Sequence, residues 1–209
     1  ARGGRLVRGH HVLLLVLAIA FLWGMWTESL DRLWQAQFVD EVGFPGVGGL
    51  SPIVWIGLLT GASLVLAIVV AQLAVARLEG AARERLARVL LAGNAVVLVA
   101  ALVFALAGSP WLAIAAFAVV CGARSLVVPL QLAWVNRSIE DSSVRATVLS
   151  IVSQSDAVGQ VAGGPAIGAV GSSAGLRPAL ALGAVALAPA LALYGRAVGR
   201  ERDDAGTVA

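Results

Sequence analysis

PIVWIGLLTGASLVLAIVVAQLAVA, residues 52–76, carries no charged side chain and opens on Pro52. The hydrocarbon layer of a bilayer is about 30 Å thick, and about 20 apolar residues of helix cross it. Lipid offers backbone N–H and C=O groups no partner, so only a helix or a closed barrel satisfies them there. The stretch lacks the strict alternation of a barrel strand, which leaves a helix. Five further runs have the same character, at about residues 12–40, 89–108, 111–134, 146–170 and 178–195. Glycine and proline punctuate their ends: Gly43, Pro45, Gly46, Gly48 and Gly49 after the first, Ser109-Pro110 after the third, Gly171 to Pro178 after the fifth. The expected fold is an all-α membrane protein, a single bundle of six transmembrane helices over residues 1–209.

Composition agrees. Of 209 residues 59% are hydrophobic and 13% charged, against about 25% charged in a soluble domain. That excludes an ordinary cytosolic enzyme, a disordered tail and a nucleic-acid binder. Every basic residue is arginine, so the high isoelectric point is not that of a polybasic nucleic-acid face. Cys121 stands alone, which excludes a disulfide framework and a cysteine-based metal site. His10 and His11 sit side by side at the start of the first run. No cofactor or metal is expected. The chain starts at Ala1 in mid-pattern and is expected to be incomplete.

The arginines give the orientation. Arg2, Arg5 and Arg8 precede the first run; Arg77, Arg83, Arg85 and Arg88 join the second to the third; Arg137 and Arg145 join the fourth to the fifth; Arg196, Arg200 and Arg202 end the chain. All of these segments lie on one side of a six-span path, whereas Arg32 and Arg177 belong to the other and Arg124 lies inside a span. By the positive-inside rule both termini are cytoplasmic and the chain is a multi-pass protein of the cell membrane. The other reading of the first run is a cleaved signal peptide. Removing it would leave five spans and put the arginine-rich loops outside.

Charge at membrane depth costs at least about 2.5–3.5 kcal/mol on insertion scales, so each such group faces protein or water. Glu28, Asp31, Arg32 and Gln35 form one polar stripe at helical spacing, with Glu28 four residues ahead of Arg32. Either the helix ends near Trp26 and the stripe is solvated, or the stripe walls a water-filled vestibule. Arg124 lies ten residues before the end of the fourth run and Asp156 ten after the start of the fifth. At about 1.5 Å per residue both reach the midplane, which predicts an Arg124–Asp156 pair. It is either a neutralising clamp or a proton-coupling element. Gln154 and Gln160 on the fifth run, with Asn94, Gln72 and Gln131 elsewhere, serve as interhelical hydrogen-bond partners or, for Gln154 and Gln160, meet a substrate. Gly57 with Gly61, Gly159 with Gly163, and Gly164 with Gly168 form three GxxxG pairs, with Pro165 among them. They predict that the second and fifth helices pack closely against another bundle. The third and sixth runs, nearly free of polar groups, are expected to face lipid.

With these residues in place the chain resembles the C-terminal six-helix half of a major facilitator superfamily transporter, in its drug-exporter-like branch. The likeness is carried by Thr27-Glu28-Ser29-Leu30-Asp31-Arg32-Leu33-Trp34 and by Asn136 through Arg145-Ala146-Thr147-Val148-Leu149-Ser150 to Gly159-Gln160 and Gly163-Gly164-Pro165-Ala166-Ile167-Gly168. It implies two inverted three-helix repeats, one half of a twelve-helix transporter, with an N-terminal six-helix half as partner. It also implies that the first and fourth helices line a central cavity, the second and fifth meet the other half, and the third and sixth face lipid. The loop Arg77-Leu78-Glu79-Gly80-Ala81-Ala82-Arg83-Glu84-Arg85 occupies the place of the superfamily's cytoplasmic gating motif. It has the arginines but one glycine and no aspartate.

The expected function is half of a secondary active transporter that moves a small molecule across the cell membrane by alternating access, as proton-coupled efflux. Its partners are the lipid bilayer, the other half and a small-molecule substrate, with no nucleic acid. The alternative is a six-span permease subunit of an ATP-driven transporter, although its short arginine-rich loops do not read as an ATPase coupling surface. No enzyme is expected, since an intramembrane serine hydrolase needs a histidine inside the bundle.

Overall fold

A computed structural model describes residues 2–78, 80–139 and 144–206, excepting the side chains of residues 2–12, 75, 138 and 200–206. Glu79 in the expected gating loop and residues 140–143 of the quoted resemblance lie outside the described residues, as do the side chains of the outermost arginines and both histidines. Among the described residues all regular structure is helical: α1 (Arg2–Ala36), a π-helical segment (Gln37–Val42), α2 (Pro52–Leu78), α3 (Arg83–Ala105), α4 (Pro110–Ser138), α5 (Arg145–Ala174), α6 (Leu176–Ala186) and α7 (Ala188–Gly206).

Local chemistry sets the ends. Ser109 caps α4 by accepting from the Leu112 N–H at 3.4 Å, and Pro110 takes the first helical position, where its missing N–H costs nothing. Between α5 and α6 the chain turns through Gly175 alone, at φ +97°, a conformation an L side chain resists. The expected loop from Gly171 to Pro178 is mostly helix. The sixth run, expected as one span, is broken at Leu187 between α6 and α7. Pro189 has no N–H to return to Val185, and two tight turns fill the gap, Leu187 N–H to Ala184 and Ala190 N–H to Leu187.

Five stretches among the described residues are long and apolar enough to cross a membrane: Leu13–Val42, Pro52–Leu78, Arg83–Ala105, Pro110–Arg137 and Leu176–Gly199. The sixth expected span, α5, has the length, at 30 residues, but not the apolarity. Ser150, Ser153, Gln154, Ser155, Asp156 and Gln160 dilute it. The chain is a helical, multi-pass membrane protein in which α5 depends on protein neighbours for its polar side.

The helices stand in two rows. α1 packs most extensively on α5 and also on α6; α4 packs on α3 and α2; α3 in turn meets α6 and α7. α5, α1, α4 and α2 therefore form a front row, with α6, α7 and α3 behind it. Within the front row α1 and α4 scarcely approach each other through their backbones.

Glycines set the closest contacts. A Cβ on Gly24 would collide with the Asp156 carbonyl oxygen, and one on Gly159 with the Phe21 carbonyl oxygen. At Gly163 a Cβ would stand 3.1 Å from the Met25 backbone. α1 and α5 thus cross backbone to backbone, and the Ser155 hydroxyl adds a bond to the Leu17 carbonyl at 2.9 Å. This corrects the expectation for Gly159 and Gly163, which pack inside the bundle and not against another. Gly57, Gly61 and Gly168 have open space where a side chain would be; Gly164 borders the Glu28 side chain. Pro165 is exposed.

The expected lipid-facing role of the third run also needs correction. One face of α3, including Leu86, Leu90, Asn94, Val97, Ala101 and Phe104, is buried against α4, α6 and α7, and only Val96, Val99, Val103 and their neighbours face outward. Lack of charge does not separate lipid from protein, because both are apolar. α2 is the most exposed helix, with Leu59, Ala74 and Leu78 buried among its described side chains.

Candidate functional site

The helix that carries the polar stripe does not stop near Trp26. α1 continues to Ala36, and the π-helical segment carries it to Val42. Aromatic packing fixes that segment. Phe38 is fully buried against Phe44 (5.4 Å between ring centres) and Phe104 (5.6 Å), and Trp34 stacks on Phe117 at 4.8 Å. Gln37, also fully buried, donates its amide to the Phe104 and Ala105 carbonyls at 3.3 and 3.1 Å. Those carbonyls end α3 and have no partner within that helix. The wide π turn, which begins at Gln37, brings its amide to them, in keeping with π segments marking functional places.

Asp31 therefore lies eleven residues, about 16 Å, below the end of a continuous helix. Arg124 reaches it from α4: Nη1 donates to Oδ1 at 2.6 Å and Nη2 to Oδ2 at 3.0 Å. Two parallel bonds of this kind are the strongest hydrogen-bonded ion pair proteins make. The guanidinium also lies 5.8 Å from the centre of the buried Trp26 ring, which favours a cation above its face. The pair is not sealed off: the Asp31 side chain is 53% exposed and that of Arg124 32%.

The predicted Arg124–Asp156 pair is not formed. α4 and α5 barely meet, and Asp156 crosses α1 at Gly24, seven residues before the Asp31 that Arg124 holds. Asp156 instead accepts from the Gln160 amide at 2.8 Å, one turn along α5, although Arg124 remains within its electrostatic range. Glu28 and Arg32 form the expected intrahelical ion pair, with Arg32 largely exposed. Gln35 and Gln154 are exposed. Glu28, Asp31, Arg32, Arg124, Asp156 and Gln160 thus gather on α1, α4 and α5 of the front row. The exposed Gln154 lies on the same α5.

Cys121 is half-buried on α4, one turn before Arg124, with Ser63 of α2, Arg124 and Asp31 in its surroundings. Among the described residues no group of three His, Cys, Asp or Glu gathers as a metal site would need. An open, wholly apolar groove lies elsewhere, between α3 and α4, lined by Val96, Val99, Val103, Leu112 and Val119 among others. It holds none of the charged residues.

Sequence reasoning missed four things. Gly24 left a signal, because a lone glycine inside an apolar helix is costly and marks a close approach. Gln37 left little signal, because Gln35, Asp40 and Glu41 surround it and make one more polar residue unremarkable. The Ser29 hydroxyl, bonded to the Ala179 carbonyl at 3.4 Å, left none. Nor did the ion pair of Glu41 with Arg177 at 3.1 Å, which ties the end of the π segment to the start of α6. The sequence matches no family model and no curated protein.

Proposed function

We propose that the chain is one six-helix half of a secondary active transporter, resembling the major facilitator superfamily, that exports a small molecule across the cell membrane by alternating access. The observation that carries the reading is the Arg124–Asp31 ion pair, held between α1 and α4 on an open face of the bundle. A bidentate pair at membrane depth is expensive to desolvate, and it persists where water and a moving substrate reach it.

Two further features support it. α1 packs on α5 and α6 as α4 packs on α2 and α3, the reciprocal pattern that two inverted three-helix repeats would make. The glycines Gly57, Gly61 and Gly168 leave flat, unoccupied backbone on α2 and α5, which flank α1 and α4 and would meet the second bundle. Substrate would bind between the bundles, against α1 and α4. Both ends of the chain would be cytoplasmic by arginine placement. Energy would come from proton antiport, with protonation of Asp31 loosening its hold on Arg124 and Asp156 as the second candidate proton carrier.

The test is efflux of ethidium from cells producing the intact protein, with and without a protonophore. Export that stops with the protonophore, and that loses its pH dependence in Asp31→Asn or Asp156→Asn, bears the proposal out. Export with unchanged rate and pH dependence in both variants removes the coupling assignment, and the absence of energy-dependent ethidium export removes the drug-exporter reading.

A further inference from the structure

Three facts meet at Arg124. Its guanidinium holds both oxygens of Asp31 on α1. Asp156 on α5 lies in its electrostatic range and is occupied by a neutral amide alone, that of Gln160. α1 and α5 are fixed to one another by the crossing at Gly24, Gly159 and Gly163, where backbone meets backbone. The two carboxylates therefore belong to one rigid pair of helices, while the cation comes from α4, which meets α1 through this bond and the Trp34–Phe117 stack and touches α5 hardly at all. Cys121 on its own helix lies in the same field, and on the α1 stripe Glu28 and Arg32 are paired with each other.

We propose that Arg124 is a two-position switch, bound to Asp31 in the arrangement described and exchanging to Asp156 when Asp31 loses its charge. The side chain suits the task. An arginine stays charged whatever its surroundings, and its planar fork of five donors matches one carboxylate as well as another. The Trp26 face beneath the guanidinium supplies a surface that attracts the cation without fixing its direction, so the fork is supported as it leaves Asp31. Exchange replaces one charge-assisted pair by another. An unpaired cation is never left at membrane depth, and the bond across the front row passes from α1 to α5. What triggers the exchange rests on the transport reading; the exchange itself does not.

The test is thermal unfolding of the intact protein in detergent, comparing Asp31→Asn, Asp156→Asn and the double variant. Because either carboxylate can hold Arg124, each single loss is cushioned and the double loss is not. The double variant should melt about 3 °C below the sum of the single shifts, the size expected when a pair worth about 1 kcal/mol disappears from a chain of this length. In an Arg124→Gln background that excess should vanish. Additive shifts, or an excess that survives Arg124→Gln, overturn the proposal. Should Arg124→Gln fail to fold, Arg124→Lys replaces it, and its single-pronged ammonium must cut the excess by at least half; an undiminished excess overturns the proposal. Melting reports on the switch alone and efflux on the transport reading, so the two fail separately.

Discussion

Arg124 on α4 grips both carboxylate oxygens of Asp31 on α1, at 2.6 and 3.0 Å, across two helices whose backbones scarcely approach each other. The contact is a charge pair that ties the centre of the front row alongside the Trp34–Phe117 stack. Its exposure limits its worth to stability, since pairs reached by water contribute about 1 kcal/mol or less.

Asp31→Asn should accordingly lower the melting temperature by only a few degrees while strongly reducing ethidium efflux. The exchange Asp31→Arg with Arg124→Asp should restore melting more fully than efflux. Melting curves and efflux rates on the same preparations check both. An efflux rate that follows stability in step would reduce the pair to a structural clamp.

Gly24→Ala and Gly159→Ala should each cost about 3 kcal/mol or more, because the added methyl meets a carbonyl oxygen that no rotamer can evade. Gly57→Ala and Gly61→Ala, facing open space, should change the isolated bundle by under about 0.5 kcal/mol. Yield of monodisperse protein on gel filtration separates the two sets. If Gly57→Ala nevertheless abolishes efflux from well-folded protein, that helix face is an interface with the second bundle.

Gln37→Leu keeps the volume but removes the donor to the Phe104 and Ala105 carbonyls. A cost of about 1–3 kcal/mol is expected for leaving the Ala105 carbonyl unpaired, while the Phe104 carbonyl keeps the Ala107 N–H. Gln37→Glu should be at least as damaging, since it replaces the donor by a charge that repels those carbonyls. Denaturant or thermal midpoints decide.

Glu41→Gln should shift melting by less than about 1 kcal/mol, and the shift should shrink further in high salt, because both partners of the Glu41–Arg177 pair are substantially exposed. A large, salt-independent loss would mean that this rim contact holds α6 in place.

Much of the fold was legible in the residues. Uninterrupted apolar runs, bounded by Pro52, Pro110 and the glycines, place five crossing helices within a few residues, because lipid leaves the backbone no other solution. Two elements departed from that logic. α5 is long but polar, and its nature depends on what α1 offers it across Gly24 and Gly159. The last run broke at Leu187, where Pro189 interrupts hydrogen bonding although hydropathy is continuous. The site was half legible. Spacing alone gave the stripe Glu28, Asp31, Arg32 and Gln35, and the Glu28–Arg32 pair within it. The partner of Arg124 was not, because distance along an axis does not tell which way a side chain turns.

The single-residue turn at Gly175 carries a practical consequence. With one linking residue between α5 and α6, that junction has no slack, and a peptide inserted there would force both helices to reposition. The stretch from Gly43 to Ser51, by contrast, holds three glycines at positive φ and lies mostly exposed. An epitope spliced near Gly48 would leave the helices undisturbed, and antibody access to it in unbroken cells would report which way the chain threads its membrane.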